Sequence, residues 1–325
     1  MGCRGSFVIR ENGINTYLYD RYFAAGILPD LLYGLNSTLD MFSRAREDET
    51  ILDEVWGEGG VIVDLDAKVM MFWGSDILLD NVPLIPYMID FMETVTWQGW
   101  NVCHGKWGML SMAKYLGIAK YPATIQKPSK KSRESHFNWW LDADKNSTKY
   151  DEEEETVISY KKSDGSLLHY TVAEELDTTL RLGEDIFKIL KDRKTVFLPH
   201  QRDVYDCLYI DKKNKTIHIF WGYPLNDNSL IDRLDIYWSG WEIKWIDDGY
   251  LGYLKLIGCN DCDLLFTIEE AADRVFNIFR DPIERCLTKL EKENKLDKDR
   301  AIINWNNRLS FLDKLKQEWL KKYSD

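Results

Sequence analysis

Two stretches of the chain read alike, Val61-Ile-Val-Asp-Leu-Asp-Ala-Lys-Val-Met-Met-Phe-Trp-Gly74 and Leu208-Tyr-Ile-Asp-Lys-Lys-Asn-Lys-Thr-Ile-His-Ile-Phe-Trp-Gly222. Each begins with an apolar run, passes through a polar segment and continues as alternating residues that end in Phe-Trp-Gly. Alternation with a period of two is typical of strands, and a polar break between two such runs predicts a hairpin. When the stretches are matched at Phe-Trp-Gly, the two turns differ by one residue, as hairpin loops readily do.

The resemblance between the two halves extends beyond these stretches. Trp97-Gln-Gly-Trp100 has a counterpart in Trp238-Ser-Gly-Trp241, and from there the copies stay in register at a constant offset of 141 residues. Upstream, Asn12-Gly13 and Asp164-Gly165 both precede an apolar-aromatic run. A glycine after Asn or Asp supplies the positive φ that a tight hairpin turn requires. Three matching features in the same order indicate an internal duplication.

Each copy is predicted to contain a hairpin, a helix, a second hairpin, a further helix or loop, and one or two more strands. Apolar residues recur at helical spacing over Leu28–Phe42 in the first copy and over Val172–Leu190 in the second. Another helix is predicted over Ile85–Val95, shortened to Leu230–Tyr237 in the second copy. Hairpins imply antiparallel sheet, and helices can cover one face of it. The predicted fold class is therefore α+β, a tandem duplication of an antiparallel-hairpin and helix unit.

The chain divides into four segments on this basis. Two amphipathic helices, Ile268–Leu290 and Asp299–Tyr323, follow the second copy and predict a C-terminal helical hairpin that packs on the repeats. Basic and acidic runs between the copies are typical of solvated loops. The predicted segments are a first α+β repeat at 1–118, a charged linker or insert at 119–156, a second α+β repeat at 157–258 and C-terminal helices at 259–325.

The net charge is concentrated in the first copy. The 325 residues carry 42 Lys and Arg against 54 Asp and Glu, a formal charge of −12. Residues 1–118 hold 8 basic and 16 acidic side chains, a net charge of −8. An acidic chain disfavours phosphate binding, so no nucleic-acid partner is expected. An acidic surface instead attracts a basic protein and speeds association with it.

The chain carries no pattern for export or for crossing a membrane. No apolar run is long enough for a transmembrane helix, and the first residues lack the design of a secretory signal. We therefore expect a cytoplasmic protein whose six cysteines are reduced. The opening Met1-Gly2-Cys3-Arg4-Gly5-Ser6 matches the myristoylation pattern at Gly2, with Cys3 placed for a palmitoyl chain, and two such chains would anchor the protein to a membrane. The alternative is that residues 5–10 enter the first strand and hold Gly2 near the fold.

Acidic and aromatic residues of the first copy form the predicted binding face. Its members are Glu47, Asp48, Glu49, Asp53, Glu54, Glu58, Trp56, Trp73, Trp97 and Trp100. The tryptophans that recur in both copies have two interpretations, aromatic pockets for a partner's side chains or anchors of the core. Their repetition without added polar groups favours the core.

Candidate catalytic groups are few, and the sequence predicts no catalytic residue, cofactor or metal site. Cys103 and His104 are neighbours, but adjacent residues of a strand point to opposite faces, so this histidine cannot easily activate this thiol. Cys259-Asn-Asp-Cys262 lacks the second ligand pair that a zinc site needs, and no thioredoxin-like unit surrounds it.

The first matched turn carries two carboxylates and the second carries mostly lysines. Asp64 and Asp66 belong to the first turn, and Asp211 opens the second. Paired carboxylates can act as general acid and base or bind a metal. Because Lys212, Lys213 and Lys215 reverse the charge in the second copy, this turn is predicted to lie at the surface.

The sequence favours a non-enzymatic protein-binding module. In general character, an acidic α+β chain with 13 tryptophans and no catalytic motif resembles the immunity proteins that neutralise bacterial toxins. The resemblance implies a basic protein partner, neutralised through the acidic face of the first repeat. The alternative is a hydrolase or small-molecule enzyme with a site between the two repeats, where duplicated units often form a cleft. A third hypothesis is a lipid-anchored adaptor that acts through Gly2 and Cys3.

Overall fold

The computed structural model of this protein shows two mixed sheets with helices and a C-terminal pair of helices. The predicted α+β duplication is confirmed, and so is the C-terminal helical hairpin. The structure describes residues 4–22, 24, 27–52, 57–74, 82–118, 135–140, 156–172, 174–196, 206–221, 234–246, 249–259, 266–292 and 298–324.

The first unit is a six-stranded sheet in the order β3-β2-β1-β4-β5-β6. Its strands are β1 (Gly5–Glu11), β2 (Ile14–Asp20), β3 (Arg46–Asp48), β4 (Gly59–Asp64), β5 (Val69–Gly74) and β6 (Asn101–His104). Its helices are α1 (Ile27–Leu31), α2 (Leu35–Phe42), α3 (Ile85–Phe91), which continues as a π-helix at Met92–Thr96, and α4 (Met109–Leu116).

The second unit is a five-stranded sheet in the order β11-β10-β9-β7-β8. Residues 135–140 form a helix, α5, that packs on it through the buried Trp140. The strands are β7 (Thr156–Lys161), β8 (Leu167–Val172), β9 (Asp206–Asp211), β10 (Thr216–Trp221) and β11 (Glu242–Trp245). The remaining helices are α6 (Leu176–Leu180), α7 (Ile186–Asp192), α8 (Leu234–Tyr237) and α9 (Gly249–Leu256), followed by the C-terminal α10 (Ile268–Lys292) and α11 (Lys298–Lys321).

The two sheets have the same topology apart from β3. Both hairpins of each copy are antiparallel, as predicted, and they join through a parallel pair, β1 with β4 and β7 with β9. A second parallel pair adds β6 to β5 and β11 to β10. The segment after this last strand is a helix in both copies, α4 and α9. The sequence analysis predicted a further strand at this place, or no further element. The helix lies on the opposite face of the sheet from the other helices, so both faces are covered.

The strand pairing shows that matching the two copies at Phe-Trp-Gly puts the extra residue of the second copy in the wrong place. Asp64 pairs with Val69 and Asp211 pairs with Thr216, so the two turns have equal length and the extra residue lies in β10. A shift of one residue moves a side chain to the other face of a sheet. Trp73 therefore packs under α4, whereas Trp221 faces the core beneath α6 and α7.

The Trp-x-Gly-Trp motif is a core anchor in both copies. The indole of Trp97 donates to the carbonyl of Leu31 at 2.7 Å, and that of Trp238 donates to Leu180 at 2.9 Å. Each anchor makes an edge-to-face contact with the second tryptophan of its motif, with ring centroids 5.1 Å and 5.3 Å apart. The same hydrogen bond thus attaches the start of the last strand to the end of the first helix.

One long helix was predicted in each copy after the first hairpin, and this prediction is wrong because a glycine breaks each of them. Gly34 separates α1 from α2 with a φ of 86°, and a Cβ there would lie 2.7 Å from the carbonyl oxygen of Thr96. Gly183, with a φ of 57°, makes the same approach to the carbonyl of Tyr237 between α6 and α7. These carbonyls belong to the residues that precede Trp97 and Trp238.

The C-terminal hairpin extends the core of the first unit. Phe91 of α3 contacts Phe276 of α10 and Trp319 of α11 edge-to-face, at centroid distances of 5.1 Å and 5.5 Å. The same apolar cluster includes α9 and the face of the second sheet beneath it. A separate contact, Trp107 against Trp245 with centroids 4.0 Å apart, also joins the two units. Among the helices of the described residues, none is long and apolar enough to cross a membrane.

Replacement of Gly34 by alanine tests the helix break. Gly99 has a similar φ of 77° but open space around it, so Gly99→Ala should cost about 1–2 kcal/mol through its left-handed backbone alone. Gly34→Ala adds the collision with Thr96 and should cost about 1–3 kcal/mol more. Urea unfolding of the two variants measures the difference, and equal losses would contradict the packing role of Gly34.

Candidate functional site

The predicted acidic face corresponds in part to an exposed sheet edge. β3 is the outermost strand of the first sheet, and it pairs with β2 through Glu47 opposite Leu18 and Asp48 opposite Tyr17. All three residues of β3 are exposed, and so is Glu49, which follows it. We call Glu47, Asp48 and Glu49 the acidic edge.

The corresponding edge of the second copy carries basic residues. Residues 193–196 run beside β8 as β3 runs beside β2: the N–H of Val196 donates to the carbonyl of His169 at 2.9 Å. The Arg193 guanidinium donates to the Thr171 carbonyl at 2.5 Å. Lys194 and Thr195 are exposed there. Val196 lies opposite His169 as Asp48 lies opposite Tyr17, so Thr195 and Val196 hold the positions of Glu47 and Asp48, and Lys194 holds that of Arg46. The acids of β3 are therefore replaced by uncharged residues in the second copy and are not required by the fold.

The other acidic members of the predicted face do not all join this edge. Glu58 is exposed just before β4, where its carboxylate accepts the backbone N–H of Arg4 at 2.6 Å. Two strands, β2 and β1, separate it from β3. Asp53, Glu54 and Trp56 lie outside the described residues.

The tryptophans belong to the interior. Trp73 is 4% exposed, with its indole N–H directed at the sulfur of Met112 at 3.0 Å, and Trp97 is 1% exposed. Trp100 is half-buried against Trp97. The aromatic neighbours of the acidic edge are instead Tyr17 and Tyr19 of β2, both half-buried, which the sequence reasoning did not select. Their alternation along β2 is the sequence feature that could have identified them as neighbours of this edge.

Cys103 and His104 do not form a nucleophile and base. They occupy successive positions of β6, opposite Met71 and Phe72 of β5, and so face opposite sides. Burial and the nearby carboxylate of Glu93 raise the pKa of the Cys103 thiol to about 11. Burial and the charge of Lys106 lower the pKa of His104 to about 4. A protonated thiol is a poor nucleophile, and this imidazole is neutral near pH 7.

The aspartates of the matched turns are structural. The prediction that they lie at the surface is wrong for Asp64 and Asp211, which are 2% and 4% exposed. Asp64 accepts the backbone N–H groups of Asp66 and Ala67 and the hydroxyl of Tyr115. Burial alone would raise its pKa, but these hydrogen bonds and Arg10, 3.5 Å away, lower it.

The second copy repeats this arrangement. Asp211 accepts the backbone N–H of Asn214 at 3.0 Å and pairs with Lys161 at 3.4 Å. Asp66 has another structural role, since it accepts the N–H groups of Asn12 and Gly13 and ties the first hairpin turn to the second. With their oxygens occupied by turns, these carboxylates are not placed as a catalytic pair.

A polar row crosses the face of the second sheet beneath α9, and the sequence reasoning missed it. Strand pairing places its members side by side in the order His169, Ser159, Tyr209, His218 and Lys244. The equivalent row of the first sheet is Tyr17, Val8, Ile62, Met71 and Cys103. The row becomes visible in the sequence only when the copies are aligned strand by strand.

Ser159 is the centre of this row. Its hydroxyl oxygen lies 2.6 Å from Nδ1 of His169 and 2.5 Å from the hydroxyl of Tyr253 on α9. Ser159 and Tyr253 are both 0% exposed. A serine beside a histidine is one element of a hydrolase site, but this hydroxyl is covered by the phenol and offers no approach to a substrate.

No protein family, curated protein or solved structure matches this chain. Within the part of the chain that the structure describes, no three His, Cys, Asp or Glu side chains lie close enough together to hold a metal ion. Cys259 is half-buried, whereas Cys262 lies outside the described residues, as do Gly2 and Cys3. The geometry alone must therefore support any functional proposal.

The protonation state of Cys103 can be measured directly. Because its pKa is about 11, alkylation by iodoacetamide at pH 8 should be roughly a hundredfold slower in the folded protein than in urea. Peptide mass spectrometry after timed quenching reports this site separately from the other cysteines. Fast labelling of the folded protein would restore Cys103 as a candidate nucleophile.

Proposed function

We propose that this protein is a non-enzymatic binding module whose acidic edge takes a basic protein partner. The observation that carries the proposal is the position of β3: the strand is outermost, all its residues are exposed, and the positions of Glu47 and Asp48 carry uncharged Thr195 and Val196 in the second copy. A partner of opposite charge would account for the acids at this edge. The general likeness to immunity proteins suggests that such binding neutralises the partner.

An outermost strand also offers a way of binding. Its backbone presents N–H and C=O groups along the side away from β2, and an extended segment of a partner can pair with them. The carboxylates of Glu47, Asp48 and Glu49 favour a segment rich in Lys or Arg. They also oppose pairing of this edge with the same edge of another copy, since like charges that face each other repel.

Charge reversal at the edge tests the proposal with a defined probe. The probe is a fluorescein-labelled peptide of alternating lysine and valine, with a glutamate and valine peptide as its acidic counterpart. The lysine peptide should bind the wild type, and Glu47→Lys/Asp48→Lys/Glu49→Lys should weaken that binding at least about tenfold, because three exposed charge pairs of up to about 1 kcal/mol each are lost. Fluorescence anisotropy titrations at low and high salt measure both affinities.

A second triple variant controls for net charge. Asp192, Asp235 and Glu318 are exposed acids away from β3, and their replacement by lysine changes the total charge by the same amount. The control should retain most of the affinity of the wild type. Equal weakening in the two triple variants, or equal binding of the two peptides to the wild type, would overturn the assignment to β3.

A further inference from the structure

A chain of three hydrogen-bonded groups connects α9 to the edge of the second sheet. It runs from the hydroxyl of Tyr253 to that of Ser159, at 2.5 Å, and from Ser159 to Nδ1 of His169, at 2.6 Å. Ser159 and His169 face each other directly across β7 and β8. Tyr253 and Ser159 are fully buried, and His169 is half-buried.

The direction of the chain follows from its end groups. A phenol that donates to Ser159 allows Ser159 to donate to Nδ1 of a neutral His169, so every hydrogen in the chain has an acceptor. The imidazole then carries its proton on Nε2. Burial lowers the pKa of His169, which agrees with a neutral ring as acceptor.

Protonation of His169 reverses this direction. An imidazolium donates from Nδ1 to Ser159, which then either donates to Tyr253 or accepts from it. In both arrangements one buried hydroxyl hydrogen, that of Tyr253 or that of Ser159, loses its acceptor, which is unfavourable. Asp211, the acid on this face of β9, is paired with Lys161. On the face of the sheet that carries His169, the titratable or charged side chains are Lys161 on β7 and Cys207, Tyr209 and Asp211 on β9. The helix α9 carries Tyr250, Tyr253 and Lys255, and Arg193 and Lys194 lie beside β8.

In the first copy, α4 packs on its sheet as α9 does in the second, but without such a chain of hydrogen bonds. The positions of Ser159, His169 and Tyr253 are held there by Val8, Tyr17 and Met112. Val8 and Met112 lie together in an apolar cluster beneath α4, with Tyr17 packed against it. None of these three side chains is a histidine. The polar chain is thus a property that the second copy has in addition to a common fold.

We propose that Tyr253, Ser159 and His169 form a proton-sensitive latch, which holds α9 on the second sheet while His169 is neutral and releases it when His169 is protonated. α9 leads into the C-terminal hairpin that packs on α3 of the first unit. Release would therefore loosen the second sheet from the remainder of the molecule and leave the core of the first unit in place.

Hydrogen exchange of the full chain between pH 8 and pH 5 tests the latch. The pKa of His169 lies below its ordinary value in the folded state, so the stability it provides is complete above pH 6.5 and is lost as the pH falls through the lowered value. Opening of α9 takes up one proton in that range. Protection factors of amides in Gly249–Leu256 should therefore fall by about tenfold per pH unit more than they do in a variant without a titratable group at position 169, whereas β1 and β4 should respond alike in the two proteins.

His169→Asn is the decisive variant, because its side-chain oxygen can accept the Ser159 hydrogen bond but does not titrate. Its α9 protection should lack the part of the fall that His169 causes in the wild type. His218→Gln is the matched control: His218 lies in the same row and also has a pKa lowered by burial, but the variant should retain the wild-type response. The exchange Ser159→Val/His169→Tyr/Tyr253→Met installs the residues of the first copy and should also remove the response.

Two results would overturn the proposal. One is an α9 protection factor in the wild type that stays constant between pH 6.5 and pH 5. The other is an undiminished response in His169→Asn. If the triple exchange fails to fold, His169→Asn and His218→Gln still decide the outcome, since each changes a single half-buried side chain.

Discussion

The hydrogen bond from a buried indole to the last turn of a short helix is the contact on which both units depend. Trp97 donates to Leu31 and Trp238 donates to Leu180. A buried indole N–H without a partner would cost more than the bond itself contributes, so the helix end must stay beside the tryptophan. The strand that follows each motif is thereby brought to the end of its sheet.

The glycines between the paired helices complete this contact. A side chain at Gly34 or Gly183 would occupy the space of the carbonyl that precedes the tryptophan, so only glycine lets the chain turn there. The helices break because the residues just before Trp97 and Trp238 lie close to Gly34 and Gly183. Their apolar periodicity continues across the break, and this is why periodicity alone indicated a single helix.

The faces under α4 and α9 are where the two copies differ most. One copy places Val8 and Met112 there, and the other places Ser159 and Tyr253 at the same positions. Sheet edges differ in a similar way, since Glu47 and Asp48 of β3 are replaced by Thr195 and Val196 beside β8. The strand order apart from β3 and the contacts of the Trp-x-Gly-Trp motif are common to both copies, so these differences lie at positions that the fold does not dictate.

The amino-acid sequence by itself determined the duplication, the hairpins and the tryptophan anchors, because turn glycines and strand alternation act over a few residues. It could not determine the parallel joining of the hairpins, the one-residue shift that turns Trp221 away from the face of Trp73, or the burial of Asp64 and Asp211. The parallel joining and the contact that buries Asp64 under Tyr115 depend on partners more than 50 residues away in the chain. The shift depends on the pairing register within one hairpin, which the matching letters Phe-Trp-Gly do not reveal. The same holds for the candidate site. The acidity of Glu47, Asp48 and Glu49 could be recognised in the sequence. Only the strand pairing shows that they lie at an edge and that His169 contacts Ser159.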